Sequence, residues 1–454
     1  MAFIIATVVR LAWVAMCDGP LMWEDEQDYV NIARHLVAGD GYVSASYRAT
    51  PLLPAYLAVV FRLFGERYDV ARVGQAIAGA VTVVLVGGVA RRVAGLRVGI
   101  ASAMLLAVYL PQVYLSGVFY AECLFTLLLA ATLYGAIRIL DAERPLGWAV
   151  ATGVAFGLGI LARPIGLVAF PGLCAALVWA GRFEFRRGFA ICGTLTLAVA
   201  LPIAPWTLRN YAVYGRPILV ATGFGTTLWQ GNNELTQGDA DDRFIALDNA
   251  VWRDRLAAVA EPERSALAAR YAAVQQQLRV LTDAAGGERY LATDPVLGAL
   301  ARDYILTHPL RTLRLFARKL LTLVSPFSGT VSQNQHTGGG MRFLAALSFL
   351  PLAGLAAIGV ALAGVERRFV VIYAVVGSIV IAYGLLDTCT RFRLPLDPWI
   401  IVLAALTLER CTQWWAGVPA TAPWWGGIEL ARDTAGVGQS PFPSPERSDD
   451  RPGA

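Results

Sequence analysis

The feature that most constrains this chain is the recurrence of apolar runs about 16 to 23 residues long, the length a helix needs to cross a hydrocarbon layer roughly 30 Å thick. Such runs are read at residues 1–17, 70–90, 98–117, 121–140, 146–162, 164–180, 189–206, 342–364, 369–386 and 396–412. A soluble core cannot absorb them: 56% of the 454 residues are hydrophobic and only 16% are charged, against roughly a quarter charged in an ordinary soluble domain. Backbone groups in lipid must find partners within their own segment, so the expected fold class is an all-α integral membrane protein of about ten spans. No small-residue cleavage site follows the first run in MCDGPLMWEDE, and that helix is expected to be retained.

The net charge of +5 is carried almost wholly by arginine, Lys319 being the only lysine, and the basic residues fall mainly at the ends of apolar runs. That pattern speaks for membrane topology and against nucleic acid. Ten crossings put both ends of the chain on one side, together with Arg91, Arg92, Arg97, Arg138, Arg144, the run GRFEFRRG, Arg367 and Arg368. The positive-inside rule makes that side cytoplasmic. The outer side then receives residues 18–69, the turn near Glu122, the junction at Arg163 and Pro164, the stretch 207–341 and the turn DTCTRFRLP. The expected organisation is a transmembrane core over 1–206 that includes the outer loop 18–69, an outer segment 207–341, further spans within 342–412, and a Pro-, Gly-, Ser- and Arg-rich tail over 413–454, read as disordered and cytoplasmic.

In the first outer loop, DYVNIARHLVAG is amphipathic at helical spacing, and TPLLPAYLAVVFRLFG is expected to lie along or dip into the interface. Residues 248–281 are polar and helix-forming, and Thr293, Asp294 and Pro295 read as a helix start before VLGALARDYILTHP, a helical hairpin on the outer side. In the run that follows, Arg311, Arg314, Arg318 and Lys319 recur three or four apart among leucines, giving a cationic face suited to the headgroup layer.

The polar chemistry therefore collects outside. WEDEQDY, from Trp23 to Tyr29, is the densest acidic cluster; a carboxylate there can act as a general base or be an ordinary solvated loop residue. Glu122 opens an apolar run, where an ionisable group is costly and needs a partner or a task. Arg163 closes one apolar run and, with Pro164, opens another, where an arginine can bind a phosphate bidentately or simply snorkel. Arg209, Arg391 and Arg393 run against the positive-inside bias; a lipid phosphate would explain them, as would pairing with Asp387 or Glu122. His35, His308 and His336 fall in separate segments and give no metal-ligand spacing, so no cofactor is expected, and a divalent cation between Asp25 and Glu122 is the less favoured reading. The six cysteines, Cys17, Cys123, Cys174, Cys192, Cys389 and Cys411, lie far apart and suggest neither metal site nor disulfide framework. A nucleotide-driven pump lacks its phosphate loop, and a secondary transporter lacks its two similar halves.

The ordered series DEQDYVNIARHLVAGDGY, RATPLLPAYLAVVFRLFG, RVGQAIAGAVTVVLVGGVARRVAG, YLSGVFYAECLF, GLGILARP, WTLRNYAVYGRPILVATGFGTTLWQGNN, THPLRTLRLFARKLL and TRFRLPLDPWIIVLAA resembles the GT-C glycosyltransferases, in particular bacterial relatives of protein mannosyltransferases and lipid A aminoarabinose transferases. The resemblance implies a multi-helix transmembrane domain with interfacial helices; the outer, periplasmic segment departs from the family's pattern, being mainly helical and poor in its motifs. The resemblance also implies transfer of a sugar from a polyprenyl-phosphate donor to an envelope glycan, lipid or protein at the outer face of the bacterial cytoplasmic membrane, usually with inversion. By position in the acidic pair after the first helix, Asp25 would be the base, Glu26 or Glu24 taking that place if the pair is shifted, and Glu122 would be a second site carboxylate. Arg48, Arg163, Arg209, Arg391 and Arg393 are the candidates for the donor phosphate; Arg48 stands in RATP where aminoarabinose transferases carry a lysine-proline-proline motif. The rival function is a non-catalytic flippase or transporter of a lipid-linked sugar.

Overall fold

A computed structural model describes residues 1–17, 21, 23–43, 50–244, 246–247, 249–284, 289–326 and 339–416. Among them the chain is helical, with no strand. The helices up to residue 214 are α1 (Ala2–Val14), α2 (Glu24–Ala38), α3 (Leu52–Phe64), α4 (Tyr68–Ala94), α5 (Leu96–Val108), α6 (Leu110–Tyr114), α7 (Ala121–Asp141), α8 (Leu146–Ala162), α9 (Gly166–Gly181) and α10 (Phe185–Tyr214). An intervening segment holds α11 (Phe224–Gly231), α12 (Ala250–Ala257), α13 (Glu263–Ala284), α14 (Arg289–Thr307) and α15 (Pro309–Val324). Three long helices follow, α16 (Gly339–Ala363), α17 (Arg367–Leu385) and α18 (Asp397–Trp415). Residues Met1–Glu409 form one compact unit and Arg410–Ala454 a second, whose described part is the last turn of α18 with Arg410 bonded to Gln413 at 3.1 Å. The tail expected to be disordered lies otherwise outside the described residues.

Nine of the ten expected spans each coincide with one helix, and the tenth, 98–117, falls across two. Five of them, α4, α7, α10, α16 and α17, are long and apolar enough to cross a membrane. The spans expected at α1, α5, α8 and α9 are shorter, at 13 to 17 residues, and α18 carries Asp397, Glu409 and Arg410 in its 19 residues. The expected span 98–117 is broken: α5 stops at Val108, Tyr109 is extended, and Pro111 opens the short α6, as a residue without an N–H does best in a first turn. At the break the Leu106 and Ala107 carbonyls accept from the buried Arg10 guanidinium of α1 at 3.4 and 3.0 Å, Leu106 sharing its oxygen with the Tyr109 amide. Helix α3 buries Leu53, Leu57 and Phe61 against Tyr29, Ile32 and Ala33 of α2, so the broken apolar run of the first loop is a packed helix of 13 residues.

In the intervening segment, Trp229, Leu235, Trp252, Tyr271 and Leu297 build a small core of their own. Here Thr293, Asp294 and Pro295 do not start a helix, because α14 begins at Arg289 and carries Pro295 inside it. Asp294 is instead bonded across to α11, accepting from the Thr226 amide at 2.7 Å and its hydroxyl at 2.9 Å. The two helices approach so closely there that a Cβ on Gly225 would sit 2.1 Å from the Asp294 carbonyl oxygen. On α15, Arg311, Arg314 and Arg318 are exposed beside Leu310, Leu313 and Leu321, but Lys319 departs from the expected cationic face. It is turned inward, its ammonium 3.4 Å from both Asn232 Oδ1 and the Leu385 carbonyl oxygen. Burial lowers its pKa to about 8 against the opposing pull of Asp242 and Asp387.

Candidate active site

Asp25 and Glu122 both lie in first turns, where the positive end of the helix dipole and unpaired amides favour a carboxylate. Helix α2 opens with Glu24, Asp25 and Glu26 after an extended Trp23, and successive side chains there point in different directions. Glu24 is exposed. Glu26 is buried and accepts from the backbone amides of Trp23, at 3.3 Å, and Phe119, at 2.9 Å, so it caps α2 and ties it to the start of α7. Asp25, between them, has its side chain 45% exposed and pairs with Arg391. Half-buried Asp28 lies one turn further on, and burial together with the charges of Asp25 and Glu24 pushes its carboxyl above the ordinary value.

Helix α7 begins after extended Tyr120, which puts Glu122 at its buried tip. Its side chain is 0% exposed and is gripped by two arginines from distant parts of the chain. Arg391 donates from Nε and Nη2 at 2.5 and 3.1 Å, and Arg163 donates from Nη1 at 2.8 Å. Arg163 is placed by the extended backbone that precedes Pro164, just past the end of α8. Arg391 stands on a 3-10 turn, Thr390–Arg393, between α17 and α18. Burial opposes its charge, yet Glu122 and Asp25 outweigh that and hold the guanidinium well above its ordinary pKa.

Aromatic rings floor the cluster. The Arg391 guanidinium lies 3.5 Å from the Tyr120 ring centroid, and Arg163 lies 4.7 Å from that of Phe392, which stacks in turn on Tyr383. Such faces favour a desolvated cation. None of these rings stood out in the sequence, although Tyr120 and Phe392 adjoin residues that did.

Of the expected site residues, then, Asp25, Glu122, Arg163 and Arg391 converge. Arg393 turns the other way: it pairs with Asp397 at 2.8 Å, donates to the Val324 carbonyl at 3.2 Å, and Asp397 also accepts from the Tyr109 hydroxyl at 2.9 Å. Arg209, expected just past a span, lies inside the 30-residue α10 and is enclosed by Tyr42, Trp206 and Tyr214 while donating to the Tyr42 carbonyl at 3.0 Å. Arg48 and His336 lie outside the described residues. Among the described residues no three His, Cys, Asp or Glu side chains are grouped to hold a metal ion.

Two carboxylates and two arginines packed at the end of a helix bundle, one carboxylate open to solvent, can bind an anion and accept a proton beside it. Residues 48–206 match the family of dolichyl-phosphate-mannose-protein mannosyltransferases. No curated protein sequence matches the chain. Among solved structures, an oligosaccharyltransferase of Archaeoglobus fulgidus tethered to an acceptor peptide is 13% identical, with a TM-score of 0.53 over 96% of this chain and 53% of that one. Its apo form is 15% identical, with a TM-score of 0.50 over 96% and 54%. ArnT from Cupriavidus metallidurans bound to undecaprenyl phosphate is 16% identical, with a TM-score of 0.44 over 90% and 77%. The chain thus spans about half the length of the archaeal enzymes. It is a multi-pass membrane protein that shares the fold of these archaeal oligosaccharyltransferases, and its residues 48–206 match the protein mannosyltransferase family.

Proposed function

We propose that the chain transfers a sugar from a polyprenyl-phosphate donor to an acceptor hydroxyl at the outer face of a bacterial cytoplasmic membrane, with inversion. The observation that carries this reading is Arg391, which bridges buried Glu122 and half-exposed Asp25 in one network with Arg163. Asp25 takes the proton from the acceptor hydroxyl as its oxygen attacks the anomeric carbon. The bond from that carbon to the donor phosphate breaks, and the electron pair leaves with polyprenyl phosphate. The departing group gains negative charge and needs cations more than a proton, which Arg163 and Arg391 supply from a preorganised, poorly solvated position. Glu122 holds both arginines in place. An apolar groove of about 560 Å³ that Arg393 borders, lined also by Leu320, Leu323, Val376, Val380 and Ile400, offers room for an isoprenoid chain.

This reading assigns no role to a metal, and a chelator is expected to leave the rate unchanged. The test is to incubate the purified protein in detergent with polyprenyl-phosphate sugars and candidate acceptors and to measure polyprenyl phosphate released. Release that depends on acceptor or water and is lost in Asp25→Asn supports the proposal. Donor that stays chemically intact while crossing vesicles would support a flippase, and full activity in the variant would remove Asp25 as the base.

A further inference from the structure

Tyr383, near the end of α17, is only 3% exposed; its hydroxyl oxygen lies within hydrogen-bonding reach of the Arg163 guanidinium, while its own O–H has no acceptor among the described residues. A buried donor without an acceptor costs stability, so its presence asks for a reason. Phenylalanine would fill the same space. The ring is fixed by stacking on Phe392, centroids 4.9 Å apart and planes within 17°, and Phe392 lies under the Arg163 guanidinium. The groups that act on the Tyr383 hydroxyl are Arg163, through its charge and a hydrogen bond, Glu122 and, more weakly, Cys389.

The bonding groups in this corner are unbalanced. Each arginine has five N–H donors and no acceptor, and the phenol adds an O–H. The Glu122 carboxylate already accepts three of these bonds, two from Arg391 and one from Arg163. The complementary ligand is one with acceptors only, as a phosphate group is. Arg163 is 17% exposed and meets such a ligand first.

From this we infer that Tyr383 is a third donor to the anion bound by Arg163 and Arg391, giving its O–H to a phosphate oxygen. The inference rests on the reading of those arginines as a lipid-phosphate site. It is tested with the full chain in detergent by comparing wild type and Tyr383→Phe for polyprenyl phosphate binding and for melting temperature. The expected result is binding weakened about 10- to 100-fold, the worth of a hydrogen bond to a charged group, with a melting temperature that is unchanged or raised. Equal binding by wild type and variant would overturn the inference while leaving the arginine site standing. So would a lower melting temperature with unchanged binding, which would mean that the hydroxyl serves a buried water. A wild type that fails to bind polyprenyl phosphate would bring down the site reading itself, and this inference with it.

Discussion

The two ends of α7 carry the same device in different surroundings. At one end Glu122 sits between Arg163 and Arg391; at the other, Asp141 sits between Arg92 at 2.9 Å and Arg368 at 2.8 Å. The 21 residues of the helix separate them by roughly 30 Å, the thickness of a hydrocarbon layer. The Asp141 side chain is 20% exposed and that of Glu122 is 0% exposed. Water can replace any partner lost at Asp141, so that cluster contributes little and can be rebuilt freely. At Glu122 no such replacement exists, and every charge depends on the others. The buried end also holds a second, open carboxylate in Asp25, which lets a ligand enter the network without dismantling it.

The largest test of that contrast is Asp25→Asn, which should lower sugar transfer by about 10²- to 10⁴-fold, the usual worth of a general base, while leaving the melting curve in place. Next, Glu122→Ala leaves Arg163 without its carboxylate and buried Arg391 with Asp25 alone, and should cost about 3 to 5 kcal/mol of stability, read as lost folded yield and a lower melting temperature. The matching change at the other end, Asp141→Ala, should cost about 1 kcal/mol or less. Equal losses at the two ends would erase the distinction. Between these, Arg163→Lys keeps the charge but loses the planar fork, and should raise the donor KM about tenfold with the fold retained.

The smallest expected effect lies in the intervening segment. Burial and the neighbouring charge of Asp239 push Asp242 up to about 6, with Arg255 pulling against them. The folded form therefore holds a proton that the unfolded chain has lost, and the contribution of Asp242 to stability grows as pH falls from about 6 towards 4. Lys319 titrates near 8, below its ordinary 10.5, so its contribution grows as pH rises from about 8. Between those values both act at their weakest. Subtracting melting temperatures of Asp242→Asn from wild type should isolate the acid limb, and Lys319→Met the alkaline one; flat differences would show that neither group is held as the structure places it.

Much of this arrangement was legible because lipid leaves charge few places to go. An ionisable residue at the tip of an apolar run is costly, which singled out Glu122; arginine against the positive-inside bias singled out Arg391, but equally Arg209 and Arg393, which lie in other networks. Position along a helix was harder to read. Asp25 and Glu26 differ by one residue, about 100° of rotation, which makes one half-exposed and the other a buried cap. Arg391 and Arg393 lie on one turn yet serve separate networks, because the turn sits between two packing surfaces. Lys319 obeyed the spacing of an interfacial face and still points inward, since the carbonyl at the end of α17 and the Asn232 amide oxygen are there to receive it. Tyr383 had no signal at all, being one aromatic residue in an apolar helix.

The break between α5 and α6 bears on how the first helix is held in the bundle. Among the described residues Arg10 pairs with no carboxylate; the acceptors of its guanidinium are the Ala6 carbonyl of its own helix and those of Leu106 and Ala107, nearly a hundred residues away. Alone in lipid, α1 would carry an unanswered cation, and α5 would end in bare carbonyls. Gly79 on α4 leaves the passage between them, since a Cβ there would stand 2.6 Å from Arg10 Nε. In the finished bundle the first helix is thus answered by the fifth, a pairing that depends on a single arginine and a missing methyl group.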